Sequence, residues 1–421
     1  MSILTPYRTE HAAMARELVR EMHGSASGAR LNDGLAPVDL ERFWNDQAIS
    51  LANPFGTVCR GLTNCADIPQ VPLGAVLTSE CVYAELGIEE DFWRYDHDDA
   101  WRLSLNKAYN DKAEKIVGRR ILSEKSNDPR LEYPPVKGLH DVFEAENIWV
   151  DQSWWLQKSA NGPDELEALL DRVESRDIRS LILPENWHEE KERLMAMGIS
   201  PNLYRGQRGP VTFAASIYGP EDLIFLILEK PDLAARFSRA ILDTMLGIAR
   251  VLDEEAGYTP ETARISDHNT GAPHGFSFCD DNCCLLTPEM YEFFGYPVLE
   301  GIFARYSPNP EDRRYQHSDS PMAHLLPLLG RLDLTGANFG PTVTVSEIRE
   351  YLPHAVIDGQ LAPFTYCRNE EENIVLEFLR DFEMARERRG LVFSTAGSIN
   401  NGTSLTSMRL AMAAIQRYGR Y

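Results

Sequence analysis

Residues 278–288 read FCDDNCCLLTP, with three of the chain's seven cysteines set around two adjacent acids, Asp280 and Asp281. Such a stretch could serve a thiolate metal knuckle, a redox site, or carboxylates at the end of a strand. A zinc site built of thiolates usually draws pairs of cysteines, two to four residues apart, from two places in a chain. Cys279, Cys283 and Cys284 form one cluster with no second pair near in sequence, and Cys367 is a single further thiol. These cysteines therefore read as small buried hydrophobes. A second group lies in YQHSD, where His317 and Asp319 occupy alternate positions and so point to one side of an extended chain. Imidazole and carboxylate together make an oxygen- and nitrogen-rich donor set, suited to zinc, manganese or iron more than to a soft metal. Asp280, Asp281 and His268 are the candidates for further ligands. Without a metal the same groups can donate and accept protons.

Groups so far apart in sequence need a scaffold that converges them. From about residue 145, short β-branched or aromatic runs alternate with amphipathic helices: NIWVDQ, SLILPE, NLYRGQ, ARISDH, RYQHSD, LTGANFG, AVIDGQL and LVFSTAG. In GPDELEALLDRVE, Leu166, Leu169, Leu170 and Val173 fall on one helical face. Thr287-Pro288-Glu289 predicts a helix start with a hydroxyl cap and a first-turn proline. Asn369 and Glu372 have capping-box spacing, and RERRG would close that helix. About eight such runs in β-α order, over roughly 275 residues, predict a (β/α)8 TIM barrel over 141–421. An open doubly wound sheet would show a glycine-rich turn after its first strand, and NIWVDQSWW has none.

Residues 1–140 predict an irregular, partly helical N-terminal extension that caps the barrel. Within it EHAAMARELVREM reads as a helix, IPQVPLGAVLTSECVYAELGI as a strand followed by a short helix, and the proline-rich stretch at 123–141 as a connector. Barrel chemistry sits at the C-terminal ends of the strands. The polar residues at those places are Arg205, Asp267, His268, Asp280, Asp281, His317, Asp319, Asn338, Asp358, Gln360 and Ser394, an acid-rich rim.

The 421-residue chain is 43% hydrophobic and 25% charged, an ordinary globular composition. Its net charge of −22 argues against a nucleic-acid partner, which needs a surplus of Lys and Arg. No apolar run approaches the ~20 residues of a membrane span, so no membrane partner is expected. Seven scattered cysteines read as free thiols in a reducing compartment, with the cytoplasm the expected location.

Several of these segments occur in a familiar order. RGPVTFAASIYGPEDLIFLILEKPDLAARFSRAI resembles the stretch of the uroporphyrinogen decarboxylase superfamily that runs Gly-Pro-Phe-Thr, an apolar helix and a Pro-Glu-Leu turn. DDNCCLLTPEMYEFFGYPVLEGI is similar to its Asp-Ser…Leu-Ser-Pro-Glu block, and YQHSDSPMAHLLPLLGRLDLTGANFGP to its His-x-Cys-Gly block. VIDGQLAPF resembles its Gly-Asn-Ile-Asp-Pro strand, and LVFSTAGSINNGTSLTSMRLAM its last glycine-rich turn. The resemblance covers about residues 140–421 and implies a (β/α)8 barrel. It also implies either porphyrinogen decarboxylation or zinc-dependent methyl transfer involving corrinoid proteins or thiols.

The decarboxylase branch fits poorly. Its N-terminal Arg-Gln-Ala-Gly-Arg motif is missing, and an acid-rich rim repels an octa-anionic porphyrinogen. The methyltransferase branch uses a His-x-Cys pair and a later Cys for zinc. Here His317 is retained, Asp319 replaces the first Cys, and the later Cys position falls at Ala396 or Gly397. Asp281 falls where the decarboxylases carry a substrate-contacting Ser.

The resemblance therefore implies transfer of a methyl group from a small O- or N-methylated substrate to a corrinoid (cobalamin) on a carrier protein. Asp281, His317 and Asp319 would position or protonate the leaving heteroatom. His317 and Asp319 would be the core of any metal site, and Asp280, His268, Arg205, Asn338 and Gln360 would line the substrate. The alternatives are a lyase or decarboxylase of a small non-porphyrin acid, clamped by Arg205 and Arg208, and a non-catalytic binding member.

Overall fold

The run NIWVDQSWWL does not open a parallel sheet. In the computed structural model, which describes residues 9–24, 34–56, 69–126, 128–201, 206–257 and 275–421, Asn147–Val150 (β1) and Ser153–Leu156 (β2) pair antiparallel. Asp151 and Gln152 between them both have positive φ, 50° and 62°. Two such residues in a row make the tight hairpin turn whose twist matches the strands.

Six further strands are parallel and follow one another in chain order in one sheet: Gly206–Arg208 (β3), Gly275–Cys279 (β4), Arg313–Ser318 (β5), Gly336–Phe339 (β6), Val356–Leu361 (β7) and Leu391–Thr395 (β8). The protein is thus mixed α/β. Among the described residues the parallel sheet has six strands, not the eight of the expected barrel, and no ring closure. Two of the expected strands are accounted for differently. SLILPE is helical over Ile178–Ile182, because Asp177 caps it by accepting from Ser180 N. ARISDH, with His268, lies outside the described residues, as does Arg205.

The chain divides into two compact units: Asn127–Ser318 with His324–Thr335, and Met1–Ser126 with Asp319–Ala323 and Gly336–Tyr421. The first of these carries β3, β4 and β5. Its longest helix, Pro231–Ala256, buries Phe237, Ile241, Met245, Ile248 and Leu252. Their spacing of three or four residues makes one apolar stripe. Phe237 meets Phe294 at 5.7 Å, and Phe278 of β4 meets Phe303 at 5.5 Å, both edge to face.

The other unit carries β6, β7 and β8. The strand expected in IPQVPLGAVL shrinks to one parallel bridge, Leu73 to Phe393. Phe393 N donates to Pro72 O and Gly74 N to Phe393 O, each at 2.8 Å. Pro72 has no N–H for a longer ladder. Gly74 fits because a Cβ there would lie 2.8 Å from Val392 Cγ1. The helix Glu371–Ala385 starts without the expected capping box. Asn369 instead takes φ 54°, and its side chain donates to Gly402 O at 2.8 Å and accepts from Ser404 N at 3.0 Å.

That helix sets three charged residues beneath β7. Glu377 accepts from Ala362 N and from the Thr365 hydroxyl, both at 2.7 Å. Asp381 accepts from Arg380 Nε at 2.7 Å and from Gln360 N at 3.2 Å. No single described helix is long and apolar enough to cross a membrane.

Burial pushes the Glu377 carboxyl up to about 7, against its hydrogen bonds and the nearby Arg380. A raised folded value means the folded state holds the proton more tightly. Its contribution is complete below the ordinary glutamate value of 4.5 and is lost as pH rises through about 7. Glu377→Gln should remove this loss, so the stability difference between about pH 5 and about pH 8 in urea unfolding should shrink relative to wild type. An identical pH dependence in the variant would show that Glu377 titrates normally.

Candidate active site

The site starts from the register of β4 on β5, which pairs Cys279 with His317. Asp280 N extends that ladder by donating to His317 O at 2.9 Å. The chain then turns into the 3-10 segment Asp281–Leu285. Asp281 is therefore the first residue past the ladder, beside the next-to-last residue of the neighbouring strand. His317 Nε2 lies 3.8 Å from Asp281 Oδ1, and their side chains are 20% and 35% exposed. Both can reach a small molecule from solvent. Asp319, two residues beyond His317, offers a third donor.

These donors fit a hard or borderline divalent ion. One imidazole nitrogen and two carboxylates leave coordination positions for substrate or water, as catalytic sites require. Among the described residues the group contains no thiolate. Cys279 is exposed, Cys284 is half-buried, and only Cys283 of the three is the buried hydrophobe expected of all. Burial pushes its thiol well above the ordinary value, and it donates weakly to the Ser318 hydroxyl at 3.9 Å. FCDDNCC is a strand end that presents an acid.

Asp281 is aimed by residues below it. Asp280, offered by the sequence as a substrate contact, is fully buried. Its Oδ1 accepts from Thr212 N at 2.7 Å. The Thr212 hydroxyl accepts from Asn282 N at 2.9 Å, so Thr212 holds the residues on both sides of Asp281. This clasp requires close approach. Gly209 N donates to Cys279 O at 2.6 Å, and a Cβ on Gly209 would lie 2.1 Å from Asp280 Cβ. Burial pushes the Asp280 carboxyl up to about 7, against the hydrogen bonds from Thr212. Its charge is thus kept low where desolvation would cost most.

Asp319 is packed from its own unit. A Cβ on Gly397 lies 2.7 Å from Asp319 Cβ, and Gly397 has φ 119°. A side chain there would displace the carboxylate. Thr212, Gly209 and Gly397 all escaped the sequence reading as site residues. The signal for the first two was RGPVT, a glycine and proline opening a helix one turn before a hydroxyl.

The other expected substrate residues serve the scaffold. Asn338 Nδ2 donates to Asp358 O and, at 2.8 Å, to Thr395 O, tying β6 to β7 and β8. Gln360 is 1% exposed and donates to Gly340 O at 3.1 Å and Val343 O at 2.6 Å. Both amides are spent on backbone carbonyls, which a buried amide must find. Arg208 at the end of β3 donates to the Ser216 hydroxyl at 3.1 Å. His324, a ring nitrogen 2.9 Å from Leu286 O, is structural.

No protein-family model and no curated protein matches the chain. A solved structure, a methyltransferase from Methanosarcina mazei, is similar with a TM-score of 0.48 and 14% identity, over 82% of this chain and 93% of that one. This likeness decides neither fold nor function.

Thr212→Val keeps the shape and the backbone donor to Asp280 but removes the acceptor of Asn282 N. It should lower unfolding stability by about 1 kcal/mol, and Thr212→Ser should restore most of it. Equal stability of the two variants in urea titrations would refute the clasp.

Proposed function

We propose that this chain is an enzyme that takes a methyl group from a small O- or N-methylated compound and passes it to the corrinoid of a carrier protein. The observation that carries this reading is the approach of His317, next to last in β5, to Asp281, just past the end of the adjacent parallel strand β4. The order of sequence blocks described above supports the choice of methyl transfer. The same resemblance supports closure of the sheet into a (β/α)8 ring.

Transfer of the methyl group to the corrinoid breaks the C–O or C–N bond and leaves its electron pair on the heteroatom, which must be protonated before or as the bond breaks. His317, in its protonated form, can supply that proton at Nε2, and Asp281 at 3.8 Å holds the imidazolium in place. Asp319 offers a second carboxylate for a cationic amine. The same three side chains would hold a divalent ion such as zinc, which when bound supplies Lewis acidity to the leaving heteroatom. In that case His317 and Asp281 would serve as ligands, and the proton for the leaving heteroatom would come from solvent. The corrinoid is a second substrate, and its carrier would dock over the ends of β4 and β5. Exposed Cys279 at the end of β4 lies outside this donor set.

The direct test is methyl transfer from methylamines or aryl methyl ethers to free cob(I)alamin, followed by its absorbance change. Asp281→Asn and His317→Ala should each slow transfer about a hundredfold or more, with the fold retained by circular dichroism. Full activity in the double variant would remove these residues from the mechanism. Turnover of a small carboxylic acid without any corrinoid would replace methyl transfer by the lyase reading.

Metal content gives an independent check. Protein purified without chelators should carry about one equivalent of zinc, manganese or iron, and His317→Ala should lose it. Wild-type protein with full activity and no transition metal would leave the acid-base version alone.

A further inference from the structure

A separate cavity of about 1010 Å³ lies within the unit that carries β4 and β5. Small-molecule sites usually occupy ~300–1,000 Å³, so this one has room for a complete ligand. Its lining includes neither Asp281 nor His317. Ile248 and Leu252, from the last turns of the helix Pro231–Ala256, form part of its wall. The next residue, Asp253, accepts from the Tyr306 hydroxyl at 3.2 Å, and the Tyr306 ring packs on Phe276 at 5.8 Å. Phe276 stands near the start of β4, whereas Asp281 follows its end.

The cavity is built rather than left over. Trp187 is 2% exposed and forms an apolar wall with Tyr133, their rings 5.3 Å apart. Each ring has its polar tip already engaged. Tyr133 donates to Ile199 O and Trp187 Nε1 to Glu255 Oε2, both at 2.8 Å. Burial acts to raise the Glu255 carboxyl, but Lys191, Trp187 and Arg179 outweigh it and hold the group down at about 2. The indole is thus locked against a permanent anion and forms a buried backing behind the cavity. An aromatic wall fixed in advance loses little entropy on binding.

The rim decides the chemistry. Asp141 already accepts from Gly138 N at 2.7 Å and lies 3.4 Å from His140 Nε2, so its charge is committed. Exposed Lys137 lines the same cavity, and among the described residues its amine is paired with no acceptor. Glu132, on the same rim, disfavours a ligand with several negative charges. We infer that this cavity binds an amphiphilic monoanion, a carboxylate on an aryl or medium-chain alkyl body, with its head on Lys137 and its body against the half-buried Tyr133, Val136 and Ile199. It is a second ligand site, independent of the chemistry assigned to Asp281 and His317.

The test is a fluorescence titration of the full chain with anilinonaphthalene sulfonate, followed by displacement with decanoate. One saturable site per chain, emptied by decanoate, is expected. Lys137→Glu, on an exposed residue, should weaken it about tenfold without changing the melting temperature. Ile199→Trp should obstruct the apolar part of the cavity beside Tyr133 and weaken binding. Asp281→Asn with His317→Ala should leave binding unchanged, which separates this site from the proposed reaction. Absence of a saturable site, or affinity indifferent to both Lys137→Glu and Ile199→Trp, would overturn the inference. Weaker binding in Ile199→Trp with no response to Lys137→Glu would overturn the anionic head.

Discussion

One backbone hydrogen bond, Asp280 N to His317 O at 2.9 Å, carries the β4–β5 ladder one residue past the last pair of the strands. A register slip by one residue would send every side chain of β5 to the opposite face. His317 would then leave Asp281, and Gln316, now fully buried, would take its place. The whole candidate site therefore rests on a pairing made by the main chain. Side chains above it can vary only while that register holds.

The register is secured from beneath. Thr212 N and Oγ1 bracket the turn at Asp280 and Asn282, and Gly209 lets the helix Pro210–Tyr218 come close enough to do so. The clasp buries a carboxyl, a costly act unless the group is hydrogen-bonded or neutral. Asp280 is partly both, being bonded through one oxygen and raised toward neutrality by burial. A comparable arrangement recurs under β7, where Glu377 and Asp381 accept from backbone amides of the strand end. In each place a buried acid satisfies a main-chain donor beside a strand end, a helix amide in the first and strand-end amides in the second.

The unit containing β4 and β5 thus has two kinds of polar region. At the strand ends the groups are half-exposed and gathered around a common point, as chemistry requires. Around Glu255 a buried carboxylate is fully paired, and what it supports is an aromatic wall. The first arrangement suits a reaction and the second suits recognition of an apolar body. The exposed hairpin of β1 and β2, with Trp155 59% exposed, belongs to neither.

Much was legible in local pattern. Short runs with aromatic or β-branched residues marked β5 through β8, because strands near a core must present apolar residues at fixed intervals. Leu166, Leu169, Leu170 and Val173 marked a helix for the same reason, and Thr287 capped its helix as its type and position required. His317 and Asp319 were visible as a pair because alternate strand positions share a face. The misread elements were those whose outcome depends on partners far along the chain. NIWVDQ became a hairpin and Asn369 left its cap for Gly402 and Ser404. Asn338 and Gln360 looked like ligands because nothing in sequence shows which carbonyls a buried amide will meet. Sequence by itself determined which side chains are able to do chemistry, since that depends on residue type and local period. Tertiary structure alone decided that Asp281 meets His317 while Asp280 is sealed beneath it, because adjacent residues of a strand end face opposite ways and only the neighbouring strand and helix say which way leads to solvent.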